Sequence, residues 1–239
     1  MKPDLEFLVK EIDEVLETRN ALFPKRDNEN TSLLRNRISC FLSTILKEYN
    51  GERVRCKKEL ERILEKPIFI CGQMKSGTTL LTKLLDRHPQ LVVMPGDSRL
   101  IHLKKTRTHW GNIEFGKYWT TRMINPTGQT PFWLLGKRKK KYAEFLNLYE
   151  RWKSELAKKE TSFFDAAVLS YAQCSDINEK TLAGFVEKTT NNEIHSKEIK
   201  NYYQNPKFVH VVRNPLPNIV SLKKYYHNSL IKIKDFVFL

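Results

Sequence analysis

Residues 68–79 read IFICGQMKSGTT. The apolar run that begins at Pro67 stops at Gly72, and a short polar loop closes at Gly77, ahead of Thr78 and Thr79. A short, wholly apolar run bounded by glycine is the pattern of a strand buried on both faces of a parallel sheet. Thr78 to Arg87 follows as a helix with Leu80, Leu81, Leu84 and Leu85 inward, stopped by His88-Pro89. A strand that feeds a glycine-bounded loop and then a helix presents backbone N–H groups and the positive helix end to one anion. The ATP-binding form of such a loop is GxxxxGK[ST]. Gly72 and Gly77 have that separation, but Thr78 stands where the lysine belongs. The basic residue, Lys75, sits three places earlier, at the crown of the loop.

Outward from this stretch, QLVVMPGD reads as a second strand running into a turn, TLAGFVEK as a third and PKFVHVV as a fourth apolar strand. NEIHSKEIKNYY and PLPNIVSLKKYY read as helices between and after them. Strand and helix alternate, which implies right-handed crossovers and a mainly parallel sheet. The fold class is α/β, a P-loop-type three-layer sandwich. Residues 1–66 read as a helical N-terminal extension packed on the core unit, 67–239. Leu5, Leu8, Val9, Ile12, Val15 and Leu16 recur at helical spacing, as do Leu34, Ile38, Phe41, Ile45 and Leu46 behind a cap at Thr31 or Ser32. A third helical stretch spans 52–65 and ends at Pro67. Residues 99–180 read as a mainly helical insert on the substrate side, whose clearest helix carries Tyr142, Phe145, Leu146, Tyr149, Trp152 and Leu156. Such an aromatic stripe is either core or a ligand platform, and burial is the commoner cause of helical periodicity.

The chain has 239 residues, 40% of them hydrophobic, enough for one sizeable core. No stretch approaches the roughly 18 consecutive apolar residues of a membrane span. The acidic, amphipathic start lacks the features of a signal peptide. Cys40, Cys56, Cys71 and Cys174 are scattered without CxxC or zinc spacing. The expectation is a soluble cytoplasmic protein with reduced thiols, Cys71 being a small core residue. A net charge of +15 points to anionic partners. The basic run GKRKKKY, 136–142, is either a solvated helix start or a lure for an anionic substrate. No nucleic-acid module is present, so no nucleic-acid partner is expected.

A second constellation is FVHVVRNPLPNIVS. Arg213 stands at the C-terminal end of a strand, where α/β folds gather their ligands, and Ser221 lies about two helical turns on. Arg by its fork and Ser by one donor suit a second phosphate. The plainer reading is an Arg paired with a carboxylate and an N-cap at Asn214. A nucleotide kinase or NTPase would need an acidic residue on a strand end for magnesium, and neither TLAGFVEK nor KFVHVV has the apolar-run-then-Asp arrangement.

MKSGTT after one strand and RNPLPNIVS after a later one resemble the sulfotransferases that use 3′-phosphoadenosine 5′-phosphosulfate. LLTKLLDRHPQL, GFVEKTTNNEIH and NPKFVHVVRNP extend the likeness, towards bacterial members and the tyrosylprotein branch. The resemblance implies that Lys75, Ser76, Gly77, Thr78 and Thr79 bind the 5′-phosphosulfate, and that Arg213 and Ser221 bind the 3′-phosphate. It implies an in-line transfer to an acceptor hydroxyl with a carboxylate base and no metal, leaving adenosine 3′,5′-bisphosphate. Asp97 matches the position of the catalytic glutamate of the tyrosylprotein branch, and Lys188 a lysine that steadies the transferring group. Asp97 is also a good helix N-cap, with His102 the reserve base and His195 a weaker one. Thr189 or Thr190 would contact phosphate or cap the next helix, and Glu187 would pair with Lys188 or Arg213 as a structural group. Met74 departs from the family, which usually has proline there. Family members also continue through a C-terminal segment over the nucleotide; here thirteen residues follow Tyr226 (239 − 226 = 13), so a short or missing lid is expected. The acceptor classes that suit the basic, aromatic insert are a glycan, a lipid head group or a small phenolic metabolite. The rival readings are a P-loop kinase or NTPase, and an inactive nucleotide-binding relic.

Overall fold

The computed structural model describes residues 56–86, 88–97, 100, 135, 139–175 and 177–225. Four parallel strands form its sheet: β1 (Pro67–Cys71), β2 (Leu91–Asp97), β3 (Gly184–Lys188) and β4 (Lys207–His210), in the order β2-β3-β1-β4. The helices are α1 (Thr78–Leu85), α2 (Lys139–Glu155), α3 (Ser162–Cys174), α4 (Ser196–Tyr202) and α5 (Pro215–Tyr225), with 3₁₀ turns at Lys58–Glu65, Glu179–Thr181 and Asn192–His195. β1 leads through α1 across β3 to β2, and β3 leads through α4 across β1 to β4. These crossovers run in opposite directions. With right-handed connections they lie on opposite faces, which gives the three-layer α/β arrangement. The switch in direction leaves a crevice at the carboxyl ends of β1 and β3, the place where such sheets bind ligands.

β1 reads as it does because both of its faces are covered. Phe69 points into an aromatic cluster with Phe185 (ring centroids 6.1 Å apart), Tyr203 (5.6 Å) and Phe208 (5.7 Å). Ile70, one residue on, points the other way and packs with Val93 and Val186 against Leu81 and Leu85. The larger face is closed by α2 and α3, whose Tyr142, Phe145, Tyr149, Trp152 and Phe164 are fully buried. The aromatic stripe of α2 is therefore core. Lys58–Glu65 buries Leu60, Ile63 and Leu64 in the same core and is tied down by Arg62, which donates to the carbonyls of Leu182 (3.0 Å) and Glu179 (2.5 Å). The remaining helices expected before residue 56, residues 136–138 of the basic run, and His102 lie outside the described residues, while Lys139, Lys140 and Lys141 open α2. No helix among the described residues is long and apolar enough to cross a membrane.

Two expectations are corrected. Leu80 and Leu84 are not inward but 63% and 72% exposed. A two-turn helix has one inward stripe, and here Thr78, Leu81, Thr82 and Leu85 occupy it at i, i+3, i+4 and i+7. The fourth strand is shorter and less buried than its apolar run suggests. Lys207, Val209 and His210 are exposed, because β4 has only β1 beside it in the described sheet.

A polar bond set crosses the large core. Asp165 of α3 accepts from Tyr203 Oη (2.7 Å) and Thr161 Oγ1 (2.9 Å), and only 1% of its surface is exposed. Burial, against these two hydroxyls, raises its pKa from 3.8 to about 6. Between these values the unfolded chain releases the proton first. Folding stability should therefore fall as pH rises from 3.8 to about 6, by about 3 kcal/mol, and level off above that. Urea unfolding at a series of pH values, compared with Asp165→Asn, isolates this slope; equal profiles in the two proteins would contradict it.

Candidate functional site

The loop between β1 and α1 is held by its glycines. Gly72 has φ +136°, and a β-carbon there would meet the Val211 carbonyl oxygen at 2.5 Å. Gly77 opens α1 with φ +114°. Between them Lys75 takes φ +68°, a left-handed conformation that a side chain adopts only where its surroundings require it. Ser76 N–H donates to the Gln73 carbonyl (3.0 Å), and the Leu81 N–H is bonded to Gly77 O (3.1 Å), which begins the helix. The amides of the first helical turn ahead of it have no intrahelical acceptor and face the loop's end. The Ser76 hydroxyl is buried and makes no hydrogen bond among the described residues. Thr78 is buried beneath the same turn, while Thr79 is exposed.

Two neighbouring strands close on this loop. From the β4 side, Val211 N–H donates to Cys71 O (2.9 Å), and Arg213 Nη1 donates to the carbonyl of Lys75 (2.9 Å). Asn214 Oδ1 accepts from Leu216 N–H (3.0 Å), so the N-cap expected at Asn214 is present. Ser221 lies half-buried on α5, and Asn218 Nδ2 donates to Gln73 Oε1 (3.1 Å). From the β3 side, Gly72 is held at both polar atoms: its carbonyl accepts from Asn191 N–H (3.2 Å), and its N–H donates to Glu193 Oε2 (3.1 Å). Glu193 Oε1 lies 3.7 Å from His210 Nε2. Burial, with Glu193 and Glu187 near, pushes the Cys71 thiol up to about 11, so it packs as a neutral group.

Asp97 and Lys188 meet at the end of the sheet. They are paired across β2 and β3, and the Lys188 ammonium contacts Asp97 Oδ1. The register breaks between Val93 and Asp97, where Pro95 and Gly96 (φ +70°) stand, and this bulge brings Asp97 opposite Lys188. The Lys188 side chain is only 8% exposed, so the carboxylate is its principal compensation for burial. Glu187 is corrected. Successive strand residues point to opposite faces, and its oxygens accept from Thr189 Oγ1 (2.5 Å) and Asn192 Nδ2 (2.5 Å) rather than facing Lys188. That bond set shapes the turn that carries Asn191 and Glu193 to Gly72. His195 lies on the helix surface, 4.0 Å from Glu198.

The structure thus gathers Lys75, Ser76, Gly77, Thr78 and Thr79 in one loop and helix start, with Arg213 bonded to that loop and Asp97 bonded to Lys188 along the same sheet edge. Sequence reasoning missed Gln73, Asn191, Glu193 and Asn218, because each acts by a bond to a residue far along the chain, and Asn192, whose partner Glu187 is five residues away but comes within reach only through the turn after β3. No curated protein and no solved structure matches the chain. The model described as Sulfotransferase family matches residues 67–235, from the first residue of β1 past the end of α5. That span is well over half of the 239 residues and holds the loop, Asp97, Lys188 and the Arg213 corner, and the chain therefore belongs to the sulfotransferase family.

Proposed function

We propose that the protein moves a sulfuryl group from 3′-phosphoadenosine 5′-phosphosulfate to an acceptor hydroxyl. The observation that carries this reading is the bond from Arg213 to the Lys75 carbonyl, which makes the two phosphate-binding constellations one continuous edge. The residues suit such a donor. The buried Ser76 hydroxyl lacks a partner among the described residues, the first-turn amides of α1 are aligned, and Gly72 leaves no side chain in the way. The donor supplies an activated sulfuryl group. Ser76, Gly77, Thr78 and Thr79 hold its 5′ end, while Arg213 and Ser221 hold the 3′-phosphate. Lys75 offers positive charge where the leaving phosphate gains negative charge. Asp97 takes the acceptor's proton, and Lys188 keeps that carboxylate oriented and adds charge beside the transferring group.

Three outcomes follow. Adenosine 3′,5′-bisphosphate should raise the melting temperature in the presence of chelator, and by more than ADP does. Arg213→Ala should remove the difference; equal stabilisation by the two nucleotides would defeat the 3′-phosphate assignment and favour an ordinary NTPase.

Asp97→Asn should lower kcat by roughly 10²–10⁴ with bisphosphate affinity nearly unchanged. Turnover that survives the substitution would remove Asp97 from the chemistry and turn attention to His102.

Lys75→Ala should lower kcat by about 10²–10³ and Lys75→Arg restore part of it, again with little change in bisphosphate affinity. Loss of bisphosphate binding with normal kcat at saturation would make Lys75 an affinity clamp only.

A further inference from the structure

Asn218 is an anomaly in its helix. It lies one turn before Leu222 on the inward side of α5, and both are almost fully buried, at 3% and 2% exposure. Packing alone would be served by an apolar residue, whereas a buried amide is unfavourable unless it is hydrogen-bonded. Among the described residues its Oδ1 has no partner, and its Nδ2 bonds to Gln73 Oε1. Gln73 is exposed, directly after Gly72, and contributes nothing to the core. The bond therefore serves the loop, and it spans 145 residues of sequence.

Gln73 is the first residue of the turn that presents Lys75. Its carbonyl accepts the Ser76 N–H, and inside that turn Lys75 sits at φ +68°. Arg213 holds the Lys75 carbonyl from one side. Glu193 holds the Gly72 N–H at the loop's root. The Gln73 side chain adds a third hold, at the residue that opens the turn. A strained, non-glycine conformation persists only where the surrounding bonds over-determine it.

We infer that Asn218, acting through Gln73, is a positioning residue for Lys75, and that α5 thereby sets the posture of the loop's ammonium. The inference rests on the donor-site reading above. Asn218 and Ser221 stand three residues apart on α5, so one helix contacts the 3′ end of the site and braces the 5′ end. Breaking the brace lets Lys75 leave its left-handed conformation. The loop's amides and Arg213 still hold bisphosphate, but the ammonium no longer meets the developing charge. The loss belongs to the transition state, not to ground-state binding.

The test uses four variants of the full chain: Gln73→Ala, Asn218→Ala, the double substitution, and the exchanged pair Gln73→Asn with Asn218→Gln. The exchange keeps the number of methylenes between the two backbones. Gln73→Ala removes no core packing, so it reports on the brace even if Asn218→Ala folds poorly. In the ligand-free protein each single substitution should speed hydrogen exchange at the Ser76 amide about tenfold, as expected for loss of one hydrogen bond. Turnover should fall by a similar factor while calorimetric affinity for adenosine 3′,5′-bisphosphate stays within about twofold. The double variant should be no worse than either single one, and the exchanged pair should recover. Additive losses, unchanged Ser76 exchange in Gln73→Ala, or no recovery by the exchange would overturn the inference. A wild-type protein that binds no bisphosphate would instead defeat the donor reading, and the Ser76 exchange measurements would still decide whether the brace exists.

Discussion

Where Gly72 passes the Val211 carbonyl there is no room for a β-carbon, and the candidate site depends on that close approach. It brings the exits of β1 and β4 together, so that a residue just past β4 can reach the loop that follows β1. Arg213 does so through the Lys75 carbonyl. Gly72's own polar atoms are turned away from β4 and satisfied by Asn191 and Glu193, in the turn after β3. One residue without a side chain thus fastens three strands at their carboxyl ends. A buried backbone group left unpaired there would be costly, which explains why the turn after β3 is itself held by Glu187.

Charge is distributed along this edge with a consistent logic. The carboxylates that shape the framework accept from framework donors, Glu193 from the Gly72 N–H at the root of the loop and Glu187 from Thr189 and Asn192 in the turn after β3. The groups at the mouth, Lys75, Arg213 and Lys188, are cationic. Asp97 is the carboxylate set against one of these cations, at a bulge that departs from regular pairing. A bulge beside a site re-aims one side chain without disturbing the rest of the strand.

The α/β layering and the β1–loop–α1 unit were legible in the sequence because their signals are local: an apolar run, two glycines and a helix start within a dozen residues. Arg213 was legible as a residue on the carboxyl side of a strand for the same reason, although β4 ends three residues before it, at His210. Leu80 and Leu84 were misjudged because apolar character shows that a helix is half-buried but not which of four leucines wins the narrow inward stripe, and two threonines share it. Glu187 was assigned the wrong partners because its real ones, Thr189 and Asn192, become neighbours only when the chain turns after β3. The brace from Asn218 to Gln73 left no trace at all. Amides have no periodicity, and nothing near either residue points to the other.

The bonds that shape the loop share a further property, their range. Gly72 to Glu193 spans 121 residues, Arg213 to Lys75 spans 138, and Asn218 to Gln73 spans 145. Helices such as α2 and α3 are built on local contacts, whereas contacts of this separation require the parallel strands between them to have paired. The candidate site therefore depends on the sheet being assembled and is expected to be a late product of folding. A ligand that binds this edge recognises only finished molecules, and it draws the folding equilibrium towards them as its concentration rises.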